Sequence, residues 1–294
     1  MPALAANDGT KLAYHVLGEG TPVVCLPGGP MQDSDYLGDL GGLSARLRLI
    51  LLDHRGTGQS ATPADPGTYR CDRLVDDVEA LREHLGLDRV NLLGHSGGTN
   101  LAVLYAARYP EHIDKLVLVA PSTYALGLAA TADDRREVVR LREGESWFGP
   151  ASAAFERINA GQATDGDRAA LTPFVYGRWD AATQAHHVSG ETRRNTRAAA
   201  IYGAEGAFHP EATRAALATL GAPVLLLAGE VDVNSPPRVV AELAGLFPNA
   251  TLATLPGAAH FLWLDDPTWF TTTIASFLGV TRPPRRSRGA DPRR

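Results

Sequence analysis

The 294-residue sequence predicts an α/β fold: a mostly parallel sheet covered on both faces by helices, with a helical segment inserted late in the chain. Three observations carry that prediction. Short apolar runs alternate with helical patterns over most of the length. The alternation breaks once, from Pro121 to Gly221, in a long stretch without a strand signal. Residues able to do chemistry fall just after the apolar runs, at the C-terminal ends of parallel strands, where such sheets place ligands.

Taken in order, the apolar runs at 12–17, 22–26, 48–52, 90–93, 116–120, 223–228 and 250–255 read as strands. They are short and mostly continuous, as strands buried on both faces require. Helical patterns at 73–85, 96–109, 236–247 and 265–278 lie between and after them. The stretch from 121 to 220 holds helical segments rich in Ala, Arg and Glu, punctuated by Gly144, Gly149, Gly161, Gly166 and Gly190. The expected organisation is a core from 1–120 and 221–280, a helical cap from 121–220, and a disordered basic tail from 281–294. No internal repeat, zinc-ligand spacing or phosphate-cradling glycine loop is present, so no cofactor or metal is expected.

The most informative stretch is Asn91-Leu92-Leu93-Gly94-His95-Ser96-Gly97-Gly98, a G-x-S-x-G elbow. An apolar strand turns sharply into an alanine- and leucine-rich helix with a serine at the apex. Such a turn strains the serine and leaves no room for side chains two positions away, which accounts for Gly94 and Gly98. The helix that follows offers free N–H groups to developing negative charge. A hydroxyl is a poor nucleophile at neutral pH and needs a base, and the base needs an orienting group. His260, in a loop after the run ending at Leu255, supplies the base; Asp232, after the run Val224 to Ala228, supplies the carboxylate. Each of the three follows a predicted strand, in the order Ser…Asp…His. The Pro27-Gly28-Gly29-Pro30 loop ends another strand, and its Gly29 N–H is the expected partner of the Gly97 N–H in an oxyanion hole. Asp53 and Arg55, in Asp53-His54-Arg55-Gly56-Thr57-Gly58-Gln59-Ser60, read as loop braces, because the triad already has its acid and base.

These motifs resemble those of α/β-hydrolases of the proline iminopeptidase group. That group carries His-Gly-Gly-Pro-Gly at the oxyanion loop, a D-x-R-G-x-G-x-S segment and a G-x-S-W-G-G elbow. The resemblance runs from about residue 8 to 279 and is much stronger outside 121–220. Three departures stand out: Pro27 replaces the family histidine, Met31 the glycine after the proline, and Gly97 the tryptophan after the serine. The last change implies open space beside the nucleophile and leaves the backbone donor intact. In the cap, Trp179-Asp180-Ala181-Ala182-Thr183 is similar to the family's W-E-x-x-T, whose glutamate pairs with the substrate's amine. The resemblance thus implies Asp180 as an amine anchor, with Glu205 in the region of the family's second glutamate. The cap aromatics Trp147, Phe148, Phe155, Phe174, Tyr176 and Phe208 could line a pocket, but packing against the core is favoured for most of them.

Composition agrees with a globular enzyme: 44% hydrophobic, 21% charged and a net charge of −5, which offers no case for nucleic-acid binding. The tail carries six arginines and one aspartate, so the body is near −10. Cys25 and Cys71 read as reduced and unpaired, and no signal-like core or membrane-length apolar run occurs, which together point to the cytoplasm. Two lysines against 26 arginines suggest a bacterial source of high GC content. The expected activity is serine hydrolysis of amide or ester bonds in small molecules or short peptides, through an acyl-enzyme. A proline iminopeptidase-like aminopeptidase is the leading subtype. A carboxylesterase or lactonase is the alternative, and a non-catalytic ligand receptor of the same fold the more remote one. Carboxylate-nucleophile chemistry is disfavoured because the elbow carries serine.

Overall fold

A computed structural model describes residues 2–280; the basic tail expected at 281–294 lies outside the described residues. Eight strands form one sheet: β1 Ala3–Ala5, β2 Lys11–Leu17, β3 Pro22–Leu26, β4 Arg48–Leu52, β5 Val90–His95, β6 Ile113–Val119, β7 Val224–Gly229 and β8 Ala250–Leu255. Their order is β1-β2-β4-β3-β5-β6-β7-β8. The β1–β2 and β2–β4 pairs are antiparallel and the other five are parallel. All seven expected strands are present. The eighth, β1, was not legible because it is short and built on two alanines, residues of low strand preference.

The period-two geometry of the strands sorts their side chains into two cores. Val24, Leu26, Ile50, Leu52, Leu92, Leu116, Leu118 and Leu226 face one cluster, whereas Val23, Cys25, Leu49, Leu51, Leu93, Val117, Val119 and Leu227 face the other. Helices α1 (Cys71–His84) and α2 (Gly98–Arg108) cover the first face with Leu74, Val78, Leu81, Leu101 and Tyr105. After β7, helix α9 (Pro237–Ala244) adds Val240 and Leu243 to it. The second face is covered by the segment around Leu37, Leu40, Leu43 and Leu47, and by the C-terminal helix α11 (Pro267–Phe277) through Phe270 and Ile274. Each fully buried Leu or Phe contributes about 1.5–3 kcal/mol. Both cysteines are buried and unpaired.

Between β6 and β7 lie six helices: α3 Ala132–Arg140, α4 Phe148–Asn159, α5 Asp167–Ala170, α6 Ala181–Glu191, α7 Thr196–Tyr202 and α8 Pro210–Leu217. They fall into two groups by packing. Val139 of α3 and Ala151 and Phe155 of α4 gather with Phe174, against which Trp147 and Phe148 pack edge-on. By contrast, Ala198, Tyr202 and Leu217 of α7 and α8 belong to the large core under α2.

Two helix starts differ from expectation, each for a local reason. α2 begins at Gly98, not at residue 96, because Ser96 adopts a left-handed φ of 53°. Near the C-terminus a single turn, α10 (Leu262–Asp265), precedes α11, which starts at Pro267. Proline lacks an N–H and suits a first turn, while Asp266 caps the helix by accepting from the Trp269 N–H at 2.9 Å. Among the described residues no helix is long and apolar enough to cross a membrane.

Candidate active site

Parallel strands β3, β5, β6, β7 and β8 lie in that order across the sheet, and the loops leaving them converge on Ser96. The elbow is tight enough to dictate its glycines: a Cβ on Gly98 would stand 2.4 Å from the Leu26 carbonyl oxygen, and one on Gly94 would stand 2.9 Å from that of Gly98. The Ser96 N–H is tied to the Val119 carbonyl at 3.0 Å, which fixes the strained residue against β6.

Asp232 and His260 reach the serine from the loops that follow β7 and β8. The Ser96 hydroxyl donates to His260 Nε2 at 2.8 Å, and His260 Nδ1–H donates to Asp232 Oδ2 at 2.8 Å. Asp232 is wholly buried, and its Oδ1 accepts the backbone N–H groups of Asn234 (2.8 Å) and Ser235 (3.2 Å). Those bonds replace the water that a buried carboxylate would otherwise lose. The loops carrying acid and base are also bonded to each other, from the Val231 N–H to the Ala258 carbonyl at 2.9 Å. Gly229 permits this crossing, since a Cβ there would meet the Ala259 carbonyl oxygen at 2.3 Å. Asp265 holds the same loop through the Ala259 N–H at 2.9 Å.

The glycine loop is equally constrained. Gly28 N–H donates to the Tyr36 hydroxyl at 2.7 Å. That leaves Gly29 N–H as the loop's available glycine donor; it lines one cavity of about 530 Å³ together with Gly97, Ser96 and His260. Among the described residues neither the Gly29 nor the Gly97 N–H has an intramolecular acceptor. Gly97 also borders a second cavity of about 450 Å³, with Tyr202 and Phe208 in its wall. A Cβ on Gly97 itself would nevertheless stand only 3.3 Å from Pro30 Cα, so the space expected beside the serine is closed on that side by Pro30.

Three residues absent from the sequence-based site tie these parts together. The Tyr36 hydroxyl, receiving from Gly28, donates to His95 Nδ1 at 2.7 Å, and His95 Nε2–H donates to the His260 carbonyl at 3.0 Å. This chain joins the glycine loop, the elbow and the base loop. Burial drives the His95 pKa well below the ordinary histidine value, and the neutral ring it leaves is the form able both to accept and to donate. His54 Nε2–H holds the Pro27 carbonyl at 3.2 Å, and burial lowers its pKa to about 4. Asp53 accepts from the Ser34 N–H (3.0 Å) and hydroxyl (2.7 Å), and Arg55 grips Asp77 through two bonds, so both act as braces.

The two cap carboxylates are not brought to the serine. Asp180 is exposed, and its carboxylate caps α6 by accepting the N–H groups of Ala182 and Thr183, both at 3.0 Å. The Thr183 bond leads in holding its carboxyl below the usual range. Glu205 is exposed too, and neither residue lines the Ser96 cavity. The segment that matches W-E-x-x-T satisfies a helix N-terminus here, a use that selects the same residue types.

Comparison with known proteins follows the same lines. A family model described as alpha/beta hydrolase fold matches residues 21–267. A proline iminopeptidase of Lactiplantibacillus plantarum is 25% identical over 298 residues, covering 93% of this chain and 98% of that protein. One from Heyndrickxia coagulans is 38% identical over 104 residues, but that match spans only 35% of this chain and 36% of the relative. Among solved structures, an esterase from Rhodococcus sp. superposes with a TM-score of 0.70 at 26% identity, covering 95% of this chain and 98% of that one.

Proposed function

The chain belongs to the α/β-hydrolase family, and from that premise we propose that it is a serine hydrolase that cleaves small esters or lactones through an acyl-enzyme on Ser96. The observation that carries the reading is the pair of 2.8 Å bonds from Ser96 to His260 to Asp232, opening on a cavity shared with Gly29 and Gly97. His260 Nε2 takes the proton as Ser96 Oγ bonds to the acyl carbon. The oxyanion receives the N–H groups of Gly29 and Gly97. His260 then protonates the departing alkoxide, and a water reverses the sequence: its oxygen joins the acyl carbon, the Ser96 ester bond breaks, and the proton returns to Ser96. Asp232 keeps the imidazole in the tautomer with Nδ1–H and stabilises the imidazolium formed in each half-reaction.

Ester cleavage is favoured over removal of N-terminal residues because an amine-bearing substrate needs an anion in the pocket. Among the described residues no Asp or Glu lines the cavity. The aminopeptidase reading rests on the similarity to proline iminopeptidases and on Asp180, which is occupied as a helix cap. The first part of the proposed cap at 121–220 supplies the outer wall, through Ala129 and Ala130 of the loop before α3 and Arg135 of α3 itself. The test is a side-by-side assay of prolyl and alanyl arylamides against short-chain aryl esters. Faster turnover of the esters supports the reading, and a strong preference for the arylamides overturns it. Turnover of neither class would favour a ligand receptor built on the same fold.

A further inference from the structure

The cavity that holds Ser96 carries a cation and no anion. Arg135, in the first half of α3, is the one permanently charged residue in its lining among the described residues. The Arg135 side chain forms one hydrogen bond, from Nη1 to the Ala130 carbonyl at 2.8 Å, and no ion pair among those residues. Three carboxylates of this region are engaged with other arginines: Asp134 holds Arg238, while Asp133 and Glu156 both hold Arg136. Arg135 is half-buried, and with Asn234 it also borders an adjoining cavity of about 230 Å³ lined by Phe155, Phe174 and Val233. A guanidinium with most of its donors unspent, set in a concave wall, is a strong receptor for a planar oxyanion, because its paired N–H groups match both carboxylate oxygens.

We propose that the substrates are esters or lactones carrying a second, free carboxylate, which Arg135 binds while Ser96 attacks the ester carbonyl. This rests on the serine-hydrolase reading and adds the substrate class. The free carboxylate takes no part in bond making. The ester C–O bond breaks, the acyl group passes to Ser96 Oγ and then to water, and the products are an alcohol and a dicarboxylic acid; a lactone instead gives one hydroxy-dicarboxylate.

The test compares a monoaryl dicarboxylate with a neutral aryl alkanoate of equal acyl length. The wild-type protein, Arg135→Gln and Arg135→Lys are assayed at low and high salt. The wild type should favour the anionic ester in kcat/KM by about tenfold or more, and salt should erode that preference. The ratio of anionic to neutral kcat/KM should fall by about tenfold in Arg135→Gln and by less in Arg135→Lys, which keeps the charge but not the paired donors. A wild type without the preference overturns the proposal without needing any variant, and so does a ratio that Arg135→Gln leaves unchanged. If the neutral ester is hydrolysed and a fluorophosphonate labels Ser96, such a failure touches the substrate class alone. If neither ester is turned over and Ser96 stays unlabelled, the serine-hydrolase reading fails with it.

Discussion

Replacing Tyr36 with Phe removes one oxygen and leaves the ring packed against His95, 5.7 Å away between centroids. That oxygen has two partners, the Gly28 N–H and His95 Nδ1, each at 2.7 Å and both buried. Phenylalanine satisfies neither. A buried polar group left without its partner costs about 1–3 kcal/mol, so two orphaned groups should cost about 2–6 kcal/mol of stability. Against a typical total of about 5–15 kcal/mol, that is a large change in a single hydroxyl. A catalytic effect should accompany it, because the Gly28–Gly29 peptide sets the direction of the Gly29 donor. Loss of one oxyanion donor outright costs about 10²- to 10³-fold in kcat, which bounds the effect of misalignment from above. The expected result is a lower urea midpoint and a kcat reduced about 10- to 100-fold, with KM nearly unchanged. Urea melts with an unchanged slope would separate stability from altered compactness. If Tyr36→Phe keeps both the wild-type midpoint and the wild-type kcat, the hydrogen-bond chain does not support the site.

Other outcomes follow from the same geometry. His54 stays neutral when folded down to a pKa of about 4, against an ordinary 6.5. Between those values the unfolded chain binds a proton that the folded one does not, so the stabilisation is complete above the unfolded pKa and is lost as pH falls toward 4. This should cost about 3 kcal/mol in chemical melts run across that window, with His95 shifted in the same direction. A flat stability profile there would argue against two buried neutral histidines. Gly98→Ala should abolish activity or folding, because its Cβ would lie 2.4 Å from a backbone oxygen of β3; a fully active variant would mean that the elbow yields easily. Asp180→Ala should lower the melting temperature modestly through loss of the α6 cap and leave arylamide and ester kinetics alike. A selective loss on arylamides would restore Asp180 as an amine anchor.

The core strands were legible because mostly continuous apolar runs of four to six residues have few other uses in a chain of this kind. The proximity of Ser96, Asp232 and His260 was legible because a parallel sheet carries the ends of its strands to one edge, so order along the chain becomes closeness in space. Gly29 was chosen over Gly28 from motif alone, and the Tyr36 contact gives the physical reason for preferring it. Tyr36 itself carried no signal: it sits in a short 3-10 turn, and its partner His95 lies 59 residues further on. Arg135 was hidden for the same reason, one arginine among 26 until the chain folds around it. Asp180 illustrates the opposite hazard, since a carboxylate followed three residues later by threonine is as apt for capping a helix as for binding an amine.

Ser96 is proposed as the nucleophile, activated by His260 and Asp232. A fluorophosphonate probe followed by peptide mapping examines it directly, with Ser96→Ala, His260→Ala and the unmodified protein assayed on an aryl ester in parallel. The expected result is one stoichiometric adduct on Ser96, slow labelling in the histidine variant, and ester turnover in Ser96→Ala lower by about 10⁴- to 10⁶-fold with the fold retained. An adduct on another residue, or a Ser96→Ala protein that keeps its esterase rate, would contradict it.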